Sequence, residues 1–249
     1  MKVGLFGFGR AGKAAASVLL TSKDCTLKWI VKKTDTFDHR SAAEYLGIKS
    51  DDPALIYSKD KFNEITDDET QKVDVIIDFS NQDSIYEYGR YAEETGTAVV
   101  TAISKYEDKE KAYIKKLSKN IRILWSPNIT LGINFLIIAA KVLKQIAPTC
   151  DIEILEEHFK TKSEVSGTAK IIAKHLDLEE SDIKAIRAGG IVGKHEILFG
   201  FPYQTVRLVH ESISREAFGN GALFAARNLI RQEKGLYTMQ DLIKPYCKV

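Results

Sequence analysis

The chain has 249 residues, enough for one large domain or two, and its 44% hydrophobic and 28% charged residues are ordinary for a globular protein. Its 36 basic and 34 acidic residues leave a formal charge of +2, which removes any general electrostatic case for nucleic acid or an anionic membrane as partner. Cys25, Cys150 and Cys247 are widely spaced and lack metal-ligand or CxxC patterns, so free thiols in a reducing compartment are expected and no metal site is.

Val3-Gly4-Leu5-Phe6 reads as a strand, and its start at Lys2 leaves no room for a secretory leader. The apolar stretches are too short and interrupted to cross a bilayer. A cytoplasmic protein is therefore expected. The strand runs into Gly7-Phe8-Gly9-Arg10-Ala11-Gly12, a G-x-G-x-x-G that opens a predicted helix at 11–20. In the dinucleotide fingerprint the first glycine permits the tight turn and the second admits the pyrophosphate to the backbone. The third lets helix and strand pack closely. A structural glycine turn produces the same letters, but here they stand at the start of a β/α half.

The next predicted strand, 27–31, is followed by Lys32 and Lys33, about twenty residues beyond the glycine loop. An acidic residue at this place reads the ribose 2′-hydroxyl of NAD; two lysines favour the extra phosphate of NADP(H). Residues 73–79 are almost continuously apolar, as in a strand covered on both faces, and end on Asp78-Phe79-Ser80. A helix over 84–94, a strand at 98–100, a charged helix near 107–117 and a strand at 121–125 complete the alternation. This pattern predicts an α/β, Rossmann-type doubly wound parallel sheet.

The texture changes at Ser126-Pro127-Asn128. A strongly apolar helix over 131–146 follows, with strand candidates at 151–157, 186–192, 195–201 and 204–210. Short turns at Gly193-Lys194 and Phe201-Pro202 suggest an antiparallel or mixed sheet, hence an α+β second domain. The expected division is a dinucleotide-binding domain over 1–127, a substrate and oligomerisation domain over 128–215, and a tail, 216–249, that returns to the first.

The most informative stretch is 157–169. If the strand at 151–157 stays extended, His158, Lys160 and Lys162 share one face. Ser166-Gly167-Thr168 then opens an apolar helical pattern, with a serine cap and free N–H groups that suit an anion. A proton donor, two cations and an anion cradle within a few residues suggest a small acidic substrate that becomes protonated. His195 and His210 read as packing or hinge residues, and Arg187 as either a substrate-site residue or the partner of an acidic neighbour.

These segments resemble 4-hydroxy-tetrahydrodipicolinate (dihydrodipicolinate) reductases along nearly the whole chain. Besides the glycine loop and 157–168, the similarity is carried by 75–80, 126–134, 187–196 and 218–223. The resemblance implies NADPH- or NADH-dependent reduction of a cyclic imine dicarboxylate in lysine and diaminopimelate biosynthesis. It makes His158 the acid/base and Lys162 a proton-donating or carboxylate-binding group. Ser166, Gly167 and Thr168 would hold a substrate carboxylate. The cofactor would meet Gly7 to Gly12, Lys32 or Lys33, Phe79, Ser80, Thr101, Ala102, Ile103, Ser126, Pro127, Asn128 and Ile129. A homotetramer built on the second sheet is also implied. Three departures stand out: Phe159 replaces a second histidine, Glu164-Val165-Ser166 is shorter than the usual loop and lacks its proline, and Thr101-Ala102-Ile103-Ser104 replaces a Gly-Thr-Thr-Gly loop. A related imine or keto-acid reductase, or a non-catalytic NADP(H) sensor, are the alternatives they raise.

Overall fold

The computed structural model describes residues 1–247; the last two residues of the tail lie outside that description. The chain divides into two compact units, one built from Met1–Ile129 with the chain from Phe218 onward, the other from Thr130–Ala217.

The first unit opens with β1 (Lys2–Phe6), α1 (Arg10–Thr21), β2 (Thr26–Lys32), α2 (Ala42–Leu46), β3 (Leu55–Ser58) and α3 (Phe62–Thr66). It continues with β4 (Val75–Asp78), α4 (Ser84–Thr95), β5 (Ala98–Thr101), α5 (Asp108–Leu117) and β6 (Arg122–Trp125). The second unit holds α6 (Leu131–Ile146), β7 (Asp151–His158), α7 (Gly167–His175), β8 (Ile183–Arg187), β9 (Lys194–Phe201) and β10 (Gln204–Glu211). After it come α8 (Glu216–Leu229), β11 (Gly235–Tyr237) and α9 (Met239–Ile243).

All seven strands of the first sheet are parallel, in the order β11-β6-β5-β4-β1-β2-β3. The doubly wound sheet expected from the alternating pattern is thus present. β4 is buried at all four positions, because helices must cover both faces of a parallel sheet. One face carries an aromatic cluster in which Phe6 lies 4.7 Å from Tyr88 and 5.1 Å from Phe62, ring centre to ring centre. The order turns back between β1 and β4, so the C-terminal ends of these strands flank the crevice where such sheets bind ligands. β3 and α2 escape the sequence pattern: β3 is only four residues long and follows the turn-forming Asp51-Asp52-Pro53.

The second sheet has the order β10-β9-β7-β8, and is mixed as expected: β7 pairs antiparallel with β9 and parallel with β8. The strand predicted at 186–192 lies earlier, ending at Arg187, and Gly193-Lys194 is no hairpin turn. The reason is the α7 crossover, which returns the chain to the free edge of β7 and keeps β8 away from β9. β9 and β10 do form a hairpin. Ile154, Ile197 and Phe199 bury against Ile133, Ile137 and Ile172 of the two helices. Along β7 the core-facing set continues period-two from Ile154 through Glu156 to His158. The apolar face therefore ends in a polar pair.

Candidate functional site

Around the crevice of the first unit lies a cleft of about 930 Å³, lined by Gly7, Phe8, Gly9, Lys32, Lys33, Phe79 and Ser80 among others. The glycines divide their roles by space. Gly7 has φ +96°, and a Cβ there would meet the Phe79 carbonyl at 2.7 Å. A Cβ on Gly12 would lie 2.1 Å from the Gly7 oxygen, so this glycine lets α1 approach the turn. Gly9 is different: a Cβ built on it meets nothing within 4 Å. Its missing side chain leaves open room before the N–H groups of Arg10 and Ala11, in a first turn without acidic residues. That is the space a dinucleotide pyrophosphate needs. The residues present fit the group.

Of the two lysines, only one is uncommitted. Lys32 Nζ donates to the Thr36 carbonyl at 2.8 Å and sits 5.0 Å from the centre of the Phe37 ring. Lys33 is exposed. Further along the same strand edge, Thr101 is fully buried, and its hydroxyl is engaged with Tyr106 at 2.7 Å. Ser126 is buried too, its hydroxyl donating to the Asn128 carbonyl at 2.6 Å; Ile129 is buried, while Pro127 is exposed. Side chains at 101 and 126 therefore shape these loops, which the Ser126 N–H ties together by donating to the Thr101 carbonyl at 3.1 Å.

In the second unit β7 ends at His158, and the chain then turns, with Lys162 N–H donating to the Phe159 carbonyl at 3.1 Å. The extended reading of 158–162 is corrected here: Lys160 is exposed on the turn and does not share a strand face with His158. His158 shares its face with Glu156. His158 Nδ1 lies 2.5 Å from Glu156 Oε2. The serine cap is also corrected. Ser166 precedes α7, but its hydroxyl meets His195 Nε2 at 2.9 Å and its N–H donates to Glu156 Oε1 at 3.0 Å. Gly167 and Thr168 open the helix, whose first turn holds no acidic residue and whose last turn holds Lys174 and His175. Its N-terminal pole is thus left positive.

Arg187, one of the residues left open by the sequence, organises the site by pairing with an acidic neighbour. From the register position beside His158 it forks onto Glu156, with NH1 at 2.8 Å and NH2 at 2.6 Å from the two carboxylate oxygens. Its remaining N–H groups reach the carbonyls of Lys162 (3.0 Å), Glu164 (2.9 Å) and Ile186 (2.8 Å). All five guanidinium donors are used, and Glu156 accepts from four groups, which is its full capacity. Burial would push the Glu156 carboxyl up, but Arg187, the Ser166 N–H and His158 outweigh it and hold the group at about 2. An ionised Glu156 can only accept, so Nδ1 of His158 carries hydrogen and Nε2 is the exchangeable position.

His195 lies opposite Glu156 across the β7–β9 pair, its ring 5.3 Å from that of His158 and nearly perpendicular. Burial first, then the neighbouring His158, push its pKa down to about 3, so it stays neutral and serves as a fixed polar wall. Gly193 sits over His158; a Cβ there would come within 3.1 Å of Nε2. Glu156 was legible in principle, as the residue two before His158 on one strand face. Arg187 and His195 were not, because only sheet pairing brings them in. Phe159 is 39% exposed and contributes no polar group.

A glycine turn opening onto free helix N–H groups at the switch point of a parallel sheet defines a dinucleotide-binding oxidoreductase. Two family models cover the chain: "Dihydrodipicolinate reductase, N-terminus" matches residues 1–129 and "Dihydrodipicolinate reductase, C-terminus" residues 128–243. The chain belongs to the dihydrodipicolinate reductase family. It is 36% identical over 196 residues, 70% of this chain and 78% of the relative, to a 4-hydroxy-tetrahydrodipicolinate reductase of Caldanaerobacter subterraneus subsp. tengcongensis. A reductase of the same name from Bdellovibrio bacteriovorus is 30% identical over 249 residues, covering 98% of this chain and 96% of that one. Among solved structures, dipicolinate-bound dihydrodipicolinate reductase from Paenisporosarcina sp. TG-14 shares the fold, with TM-score 0.78, 20% identity and coverage of 96% and 97% of the two chains.

Proposed function

We propose that this chain reduces 4-hydroxy-tetrahydrodipicolinate to tetrahydrodipicolinate with NADPH or NADH, in lysine and diaminopimelate biosynthesis. The observation that carries the reading is the Arg187–Glu156–His158 array beside the N-terminus of α7, in a chain that also holds the dinucleotide cradle. In this reading the first unit binds the dinucleotide and the second, Thr130–Ala217, binds substrate. The cofactor supplies a hydride; one proton enters and the 4-hydroxyl leaves as water, which balances the reaction.

Everything else falls to the chain's own groups. His158 delivers a proton from Nε2, held in position by the Nδ1–H bond to Glu156. Lys162 and the N–H groups of Gly167 and Thr168 hold carboxylates, and Ser166 orients that turn through its bonds to Glu156 and His195. These groups add rate by placing charge where it is needed before the reaction begins. Gly7 to Gly12, Phe79, Ser80, and the loops 101–103 and 126–129 receive the cofactor.

No helix among the described residues is long and apolar enough to cross a membrane; we take the enzyme to act in the cytoplasm. It assembles as a homotetramer through the outer face of the second sheet, where Leu155, Leu198, Ile186 and Val209 alternate with the Lys194–Glu157 and Arg207–Glu196 pairs. The decisive experiment is multiple-turnover oxidation of NADPH with freshly generated substrate, beside a panel of imine and keto acids. Turnover of another acid alone would assign a different reductase, which is the outcome the Phe159 departure favours; none at all would leave a sensor.

A further inference from the structure

Asp78, at the C-terminal end of β4, is completely buried. Its hydrogen-bond partners among the described residues are uncharged: the Ser80 N–H at 2.8 Å, the Ser80 hydroxyl, and the Tyr88 hydroxyl of α4 at 2.8 Å. After β5, the Tyr106 hydroxyl lies 2.7 Å from Thr101 Oγ1. Thr101 Oγ1 accepts from the Ile103 N–H at 3.4 Å, and the Ile103 carbonyl is held by Trp125 Nε1 at 2.9 Å. The Ala102 N–H donates to the Asp78 carbonyl at 2.9 Å, so the loop after β5 starts against the residue that fixes the loop after β4.

An ionised carboxylate can only accept. Ser80 and Tyr88 must then donate to Asp78. Both hydroxyl protons point toward the carboxylate. A protonated Asp78 becomes a donor and reverses at least one of these links.

Holding this charge costs stability. Burial pushes the Asp78 carboxyl up from 3.8 to about 6, against the bonds from Ser80 and Tyr88. A folded-state value above the unfolded one means the contribution is present at low pH and is lost as pH rises through about 6. The two tyrosines are also pushed above their usual range, by burial first and then by Asp78; Glu110 of α5 lies beyond Tyr106. Both remain neutral, so Asp78 is the group of this cluster that titrates. An amide of the same shape would remove the cost, and its absence points to a role outside stability.

We propose that Asp78 is a positioning residue for the nicotinamide cofactor. Its ionised carboxylate sets the direction of the Ser80 and Tyr88 hydroxyls, and so holds loop 79–80 in the form that receives the dinucleotide. The proposal rests on the reading of this sheet edge as the cofactor site.

The test is calorimetric titration of NADH, which has no 2′-phosphate to titrate, into wild type, Asp78→Asn and Tyr88→Phe, with melting curves of the ligand-free proteins. Asp78→Asn is expected to melt higher than wild type at about pH 8 yet bind NADH about tenfold more weakly, the size of one lost charge-assisted hydrogen bond. Wild-type affinity should fall between about pH 8 and about pH 5, and the asparagine variant should lose that dependence. Tyr88→Phe removes one donor from the carboxylate, so the pH below which NADH affinity falls should move upward. An unchanged pH dependence in Tyr88→Phe, or an asparagine variant that binds as wild type does, would overturn the proposal. Wild type that bound neither NADH nor NADPH would overturn the cofactor reading itself.

Discussion

At the scale of single residues, the site depends on one saturated ion pair. Arg187→Met leaves Glu156 buried with its charge uncompensated, a change that typically costs 3–5 kcal/mol. We expect a lower melting temperature, partly recovered in Glu156→Gln/Arg187→Met, where no lone charge remains. Glu156→Gln alone should lower kcat roughly 10- to 100-fold, the worth of a charge-assisted hydrogen bond. His158→Gln should lower kcat by roughly 10²–10⁴-fold while leaving NADPH affinity unchanged; wild-type turnover would remove it from the mechanism. Because the Glu156 carboxyl is held at about 2 against a usual 4.5, its contribution of about 3 kcal/mol is present above pH 4.5 and is lost as pH falls toward 2. Acid titration of Glu156→Gln should lack that loss. The lysine pair separates by geometry: with Lys32 committed to Thr36 and Phe37, Lys33→Ala should weaken NADPH but not NADH by about 1.5–3 kcal/mol, and Lys32→Ala by less. Calorimetry with both cofactors decides it.

Elements decide which of these residues can act together. The first turn of α1 combines two glycines with opposite consequences. Gly12→Ala drives a methyl into the Gly7 carbonyl, 2.1 Å away, and should destabilise the ligand-free protein. Gly9→Ala adds its methyl to open space at an ordinary φ of −79° and should leave the melting temperature unchanged. The same methyl occupies the pyrophosphate seat, so NADPH binding should weaken at least tenfold, about 1.4 kcal/mol. Equal affinity in Gly9→Ala would mean that the dinucleotide does not pass over this turn. On the other unit, the β7–α7–β8 crossover places Arg187 beside His158 and ties 162–164 to the same guanidinium. Motion of that loop would therefore loosen the guanidinium that fixes Glu156 beside His158.

For the molecule as a whole, two measurements integrate the argument. NADPH at a hundred times its dissociation constant should stabilise the enzyme by about 2.7 kcal/mol, read as an upward shift in melting temperature. The outer face of the second sheet offers apolar side chains between fixed ion pairs, and sedimentation velocity should give four copies of the 27.9 kDa chain. Val209→Arg, at a position 52% exposed, should disrupt that assembly without disturbing the fold. A monomeric wild type would remove the tetramer from the account.

Much of this protein is written in local pattern. Period-two and period-3.6 apolar spacing, punctuated by glycine, marks the parallel sheet and most of its helices, since each such element must bury one face wherever it lies. The glycine turn and the 157–168 segment are equally local, because their chemistry lies within a dozen residues. Neighbours in space were another matter. The extended reading of 158–162 failed because strand propensity carries no signal for the turn at Phe159, which backbone bonds and Arg187 hold in place. Ser166 looked like a cap because a free helix end would use it so; His195 and Glu156 compete for it only after β7, β9 and α7 have packed. Arg187, twenty-nine residues from His158, became its neighbour through strand register alone, and Asp78 gained Tyr88 by burial under α4. Sequence states which groups exist and what faces they share. Desolvation and the pairing of strands far apart in the chain decide which of them meet, and with what charge.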